Sequence, residues 1–268
     1  MDKIPTQRQK GGRGVNRTRI HWLGESRISK GCMFIEAVPG VGNVGKILVE
    51  GLMSKHPSRT IGWILNPDFP PHATLSDNGL IYPPRLDINT VMLPDGSEVI
   101  IITGLMQPMT ASGQYETAEA ILGLAKEYSA SRLLVLAGLA ADPECRSIHV
   151  ICSSNEVRRT LEDDDIEISR KQPKQGMIGI AGMVLSLSGT MAVPAIGVIA
   201  ETIGASSDVL AADRMAKWIE HAFEVPLDLD LDTTKETANK LIEEMGGEIS
   251  MEDFLGSKEQ DSTADFYV

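Results

Sequence analysis

The sequence predicts a three-layer α/β domain built on a mixed sheet, and three observations carry that expectation. Cys32–Val38 is an apolar run of strand length, followed by the glycine-rich Pro39–Lys46 and the helical pattern of Ile47–Met53, so strand, turn and helix form a βα unit. Further on, apolar runs of strand length alternate with stretches of helical period as far as Phe223, the order that gives a sheet with helices on both faces. Between Ile88–Leu93 and Glu98–Thr103, Pro94-Asp95-Gly96 supplies the positive φ values of a tight turn; this pair of strands is antiparallel and the sheet is mixed.

Taken in order, Arg19–Leu23 alternates enough to be a first strand, and Cys32–Val38 is the second. Thr60–Leu65 is the third, ended by Pro67, Pro70 and Pro71, and the β-α-β order implies that it pairs in parallel with the second through a right-handed crossover. After the hairpin, Ser112–Tyr128 is a helix that turns Tyr115, Ala118, Ile121, Leu122, Ala125 and Tyr128 toward the sheet, with Ser112 as its cap. Arg132–Ala137, a continuous apolar run bounded by Gly138, fits a central strand covered on both faces. Ser147–Cys152 is the next strand and Asn155–Leu161 a short helix, whose trailing Asp163-Asp164-Asp165 reads as a solvated turn. Residues 176–191 carry no charge and are punctuated by glycine, so they are buried or lie at a subunit contact. Val193–Ala200 is the last buried strand and Leu210–Phe223 an amphipathic helix. After Pro226, alternating Leu and Asp lead into a helical pattern with Ala238, Leu241, Ile242 and Met245, closed by Gly246-Gly247. The organisation expected is a disordered basic arm (1–15), an α/β domain (16–228), an acidic helical arm (229–255) and a flexible tail (256–268).

The glycine turn is the first candidate site. Gly40, Gly42 and Gly45 fit G-x-G-x-x-G, in which missing side chains let backbone N–H groups approach an anion at a helix N-terminus; Asn43 and Lys46 are its polar members. Asp68 lies in the region where such a motif places its acidic residue. Gly40 and Gly45-Lys46 also fit G-x-x-x-x-G-K, but Ile47 stands where a Ser or Thr hydroxyl would hold Mg²⁺. The plainer reading is a turn whose small residues let the helix pack close to the sheet, with Lys46 on a solvated face.

Composition narrows the classes. The chain has 268 residues, 42% of them hydrophobic, enough for a full core. No apolar run reaches the ~18 residues of a membrane span and the N-terminus lacks a signal-peptide core, so a cytoplasmic location is expected. Cys32, Cys145 and Cys152 show no C-x-x-C pairing and the five histidines no ligand spacing, so neither a metal nor another cofactor is expected. Residues 1–30 hold eight Lys/Arg against two acidic residues, whereas residues 224–268 hold thirteen Asp/Glu against three lysines. An acidic C-terminal arm argues against nucleic acid and for a basic protein surface as partner.

Several blocks together resemble the proteasome-assembly-chaperone family, whose archaeal members are stand-alone proteins. They are Val38–Gly45, then Gly179–Leu185, then Val193–Gly204, then Asp208 with Ala211-Ala212, in the family's order and covering about Cys32 to Ile242. The resemblance implies an ATP-independent assembly chaperone or activator-like factor, with the proteasome core-particle α-subunits as partner. Phe266-Tyr267-Val268 looks like the hydrophobic-tyrosine-any-residue terminus with which such factors enter pockets between α-subunits: a terminal carboxylate can pair with a lysine while the tyrosine ring buries. A homo-oligomer would present several such tails to a ring of repeated pockets. The family is similar in fold to the nucleoside phosphorylases, which leaves an alternative: a nucleotide- or phosphate-binding enzyme using Gly40–Lys46, with Glu201 as its acid. No G-x-S-x-G elbow, Ser-His-Asp set or paired carboxylates accompany it, and Glu201 at a strand end reads as bonded to loop backbone, so no catalysis is expected.

Overall fold

A computed structural model describes residues 17–24, 28–76, 78–168, 176–204 and 206–231. The basic arm, the helical pattern around Ala238–Met245 and the terminal Phe266-Tyr267-Val268 lie outside the described residues.

The strands are β1 (Arg19–Trp22), β2 (Met33–Glu36), β3 (Ser58–Leu65), the short β4 (Thr74–Leu75) and β5 (Ile81–Tyr82), β6 (Leu86–Met92), β7 (Glu98–Gly104), β8 (Leu133–Ala140), β9 (Ile148–Cys152) and β10 (Ala195–Thr202). The helices are α1 (Val44–Lys55), α2 (Ala111–Glu127), α3 (Asn155–Asp163), α4 (Ile180–Met191) and α5 (Val209–Phe223). Eight strands form one mixed sheet in the order β1-β3-β6-β7-β2-β8-β10-β9, and β4 pairs with β5 apart from it. At its centre β7, β2, β8 and β10 are parallel; β9 closes one side antiparallel to β10, and β6, β3 and β1 extend the other side antiparallel in turn.

Alternation along the strands splits the core. Ile35, Ile101, Leu134 and Val198 face α1, α3 and α5, while Phe34, Ile100, Leu133 and Ala195 face α2 and α4, so the three-layer expectation holds. The hairpin closes as expected, with Gly96 at φ 83° and its amide donating to the Leu93 carbonyl at 2.9 Å.

Four expectations need correction. β2 and β3 are not neighbours: β3 leads through β4–β5 into β6, which folds back antiparallel on β3, and β7 takes the place beside β2. Thr110, not Ser112, caps α2, its hydroxyl accepting from the Gly113 amide at 3.0 Å, because Ser112 already lies inside the first turn. Tyr115 is exposed, and Thr117 and Leu124 take the inner face of that helix. Packing also continues past residue 228, since Leu227, Leu229 and Leu231 are all buried against α1 and α5. The uncharged stretch 176–191 is largely α4, whose Ile180, Val184 and Leu185 are buried in the core.

Candidate functional site

The parallel strands end together, and their C-terminal loops meet around the glycine turn, the position where open α/β sheets place a crevice. The turn is a 3-10 segment, Val41–Asn43, running straight into α1; Gly45 and Lys46 are therefore helical residues, and the helix begins three residues earlier than the sequence suggested. Gly42 (φ 65°) and Asn43 (φ 47°) take the left-handed conformation that reverses the chain. Asn43 holds the reversal: its side-chain oxygen accepts from the Gly40 amide at 3.3 Å and its amide donates to the Ser206 carbonyl at 2.8 Å. The Asp208 amide donates to the Gly42 carbonyl at 2.9 Å, and the Asp208 carboxylate caps α5 through Ala211 while accepting from the Thr202 hydroxyl.

Close packing explains the glycines. A Cβ on Gly45 would stand 2.7 Å from the Leu136 carbonyl oxygen, and one on Gly42 2.6 Å from the Thr202 hydroxyl. Sequence reasoning missed the counterpart, Gly138, where a Cβ would collide with the Val41 carbonyl oxygen. Gly138→Ala should thus destabilise the fold by about 2 kcal/mol or more through overpacking against backbone, whereas Gly123→Ala, in open space on α2, should stabilise it by roughly 0.5 kcal/mol. Urea unfolding of the two variants beside wild type checks this; equal midpoints would mean that the glycine turn does not rest on β8.

Lys46 departs from the expected solvated face. It is buried, with its ammonium 3.0 Å from the Glu50 carboxylate one turn along α1, so its charge is committed away from the loop mouth. Asp68 is likewise elsewhere, at the start of α2, where Arg17 at 2.6 Å and the Thr110 hydroxyl hold its carboxyl down at about 2. Glu201 is committed to backbone and histidine: it accepts from the Ser147 amide at 2.7 Å and lies 3.0 Å from His149 Nε2. Burial pushes its carboxyl up, the Ser147 amide and His149 outweigh that, and the net effect is downward. The structure does not bring Lys46, Asp68 and Glu201 together as a phosphate or catalytic set.

Two further residues belong to this end of the sheet. Gln107, on the loop after β7, donates to the Pro39 carbonyl at 2.7 Å and accepts from the Ile180 amide at 3.0 Å, tying the glycine turn to the start of α4. Between them opens an apolar cavity of about 80 Å³, lined among others by Val38, Val41, Leu139, Met177 and Ile178. Glu36 sits one same-face position below Val38 on β2; it is wholly buried, neither carboxylate oxygen has a partner among the described residues, and burial pushes its carboxyl up to about 8. Its signal in the sequence was an acidic residue inside an otherwise apolar strand. Ile178 on the cavity lining is exposed, as are Leu105 and Met109 after β7, Ile203 after β10 and Leu210 in the first turn of α5.

Among the described residues that line the cavity no side chain is charged, and the glycine turn beside it is wedged tightly against β8 and β10. A family model described as the PAC2 family matches residues 34–246, most of the chain. The chain belongs to the PAC2 family. An uncharacterized protein of Methanocaldococcus jannaschii is 28% identical over 182 residues, covering 67% of this chain and 69% of that one. Among solved structures, this PAC2 chain is similar to Pyrococcus furiosus PbaB, an archaeal proteasome activator, with TM-score 0.71 at 18% identity over 86% of this chain and 98% of that one. It is also similar to Pyrococcus furiosus PbaA, an archaeal homolog of proteasome-assembly chaperone, with TM-score 0.67 at 20% identity over 85% of this chain and 94% of that one. These likenesses show the fold and bear out the family resemblance carried by Val38–Gly45 and the later blocks.

Proposed function

We propose that this PAC2 protein is an ATP-independent proteasome assembly chaperone or activator-like factor that binds the α-subunit ring of the core particle through Phe266-Tyr267-Val268. The observation that carries the reading is the family match over residues 34–246, joined to the hydrophobic-tyrosine-any-residue sequence Phe266-Tyr267-Val268. The fold shared with PbaA and PbaB supports it. The protein acts as a homo-oligomer, because several identical tails on a symmetric body raise effective concentration against repeated pockets by ~10²-fold or more. Mass measurement of the complex with purified core particle tests both parts. The expected species is an oligomer of this chain on an α-ring; a monomer at micromolar concentration in light scattering, or no complex, overturns the corresponding part.

The reading includes no catalysis. The Lys46–Glu50 pair and Ile47 in place of a Mg²⁺-holding hydroxyl support it. Calorimetry with ATP and a phosphate-release assay should both stay at baseline. Micromolar ATP binding, or turnover abolished by Lys46→Ala, would return the glycine turn to the nucleotide-binding class.

A further inference from the structure

Three neighbouring strands of the sheet gather polar side chains on one face. On β6, Leu86 and Ile88 point into the core beneath α2, so Asp87 and Asn89 point to the α1 side; the register sets Asp87 beside Thr103 of β7 and Asn89 beside Thr60 of β3. These residues line a cavity of about 340 Å³, together with Glu50 and Met53 of α1 and Leu105 after β7. It shares no lining residue with the apolar cavity at the glycine turn.

The polar groups are held in place and unevenly used. The Thr103 hydroxyl is buried, the residue being 5% exposed, and has no hydrogen-bond partner among the described residues. Asn89 is equally buried; its side-chain oxygen accepts from the Thr60 hydroxyl at 2.7 Å, which leaves its amide N–H groups as donors. Asp87 accepts at 2.6 Å from Arg85, whose guanidinium lies 4.5 Å from the Trp63 ring centre and 4.7 Å from that of Tyr82. Burial outweighs Arg85 and pushes the Asp87 carboxyl up, as expected of an acceptor short of donors. Glu50 is neutralised by the Lys46 ammonium at 3.0 Å.

These groups discriminate between ligands. Each lining carboxylate already has a cation beside it and Arg59 adds a further positive charge, so a cation would find no uncompensated charge. Two carboxylates in the wall oppose an anion. An apolar ligand would leave Thr103, Asn89 and Asp87 without new partners in a drier site. From the partnerless Thr103 hydroxyl, the donors and acceptors around it and the compensated charges, we infer that this cavity binds a neutral sugar ring through adjacent hydroxyl groups. A hydroxyl both donates and accepts, so one pair of them gives to Asp87 and Thr103 and takes from Asn89 and Arg59. Met53 and Leu105 supply apolar surface for the C–H face of the ring. At ~30 Å³ per water the space equals about eleven waters, room for a molecule of about a dozen non-hydrogen atoms. Neither the cavity nor its test involves the proteasome.

Saturation-transfer NMR on the full chain, with D-glucose, D-galactose, D-mannose and D-ribose as probes at millimolar concentration, tests the inference. At least one sugar should receive saturation and shift the backbone amide signals of Thr103 and Asn89. Thr103→Val keeps the shape and removes only a hydroxyl that has no partner in the protein, so it should weaken that binding about tenfold without lowering the melting temperature. Should this variant fail to fold, Arg59→Ala at the exposed rim should weaken binding several-fold. Where glucose binds, maltotriose separates two sources of the same ring: equal or tighter binding assigns the end of a glycan, weaker binding a free monosaccharide, and both support the inference. No saturation by any of the sugars, or undiminished affinity in the folded variant, would overturn it. Shifts at Thr103 and Asn89 caused by spermidine or inorganic phosphate and by no sugar would overturn it too, by assigning the cavity to a charged ligand.

Discussion

Glu36→Gln is expected to stabilise the protein by about 3 kcal/mol at pH 7. The carboxyl is wholly buried on β2 without a hydrogen-bond partner, and burial moves it from the 4.5 of a solvated glutamic acid to about 8. Below 4.5 both the folded and the unfolded chain hold the proton, and Glu36 costs little. Between 4.5 and 8 the unfolded chain has lost a proton that the folded chain keeps, so the folded state binds more protons and stability falls as pH rises. Above 8 the whole penalty is present, on the order of 5 kcal/mol. Glutamine keeps the shape and removes the titration, so the gap between variant and wild type should open across this window. Urea unfolding at pH 5, 6, 7 and 8 measures it. Parallel stability curves for the two proteins would show that Glu36 has a partner in solution.

That the penalty is tolerated bears on function. This buried carboxyl, without a partner among the described residues, stands at the end of β2, two residues before Val38, which lines the apolar cavity. Natural cores replace such groups unless something is gained, and perturbed groups of this kind concentrate where proteins make contacts. Glu36→Gln therefore also asks whether the glycine-turn end can be stabilised without loss of partner binding.

How much of this was legible depends on the range of the interaction. The Asp95-Gly96 hairpin, the α2 stripe of Ala118, Ile121, Leu122 and Ala125, and the reversal at Gly42 are set by residues close in sequence, and the structure repeats them. Sheet order was not legible: that β7 rather than β3 lies beside β2 follows from where the hairpin docks, a contact between segments far apart in the chain. The same holds within the site. Gly40, Gly42 and Gly45 announced a tight turn, but what they are tight against, Leu136, Gly138 and Thr202, is carried by strands about a hundred residues or more away. Lys46 resembled a phosphate ligand because a motif records spacing and not direction; on α1 its side chain turns inward to Glu50. Gln107 gave no signal, since a single glutamine in a loop has none until both loops that it joins are in place.

Deleting Phe266–Val268 should leave the fold intact, because β1 to α5 and the leucines at 227, 229 and 231 form the core without it, and should cost most of the affinity for the proteasome α-ring. Each tail would lose a buried aromatic ring and a charge-assisted contact of its terminal carboxylate, together worth ~2–4 kcal/mol, or roughly 30- to 700-fold per tail. In an oligomer these losses compound, since every tail engaged raises the local concentration of the next. Tyr267→Ala should reproduce most of the effect, because the ring carries both the buried area and the hydroxyl. Phe266→Leu should be mild, because that position asks only for a hydrophobe of similar size. Val268→Ala should be milder still if the carboxylate, which it retains, is what the last residue contributes. Surface plasmon resonance on immobilised α-rings, with the full chain and the truncated chain at matched oligomer concentration, separates these contributions. Equal affinity for the two would place recognition on the folded domain, and the exposed Leu105, Met109, Ile178, Ile203 and Leu210 would then be the residues to mutate next.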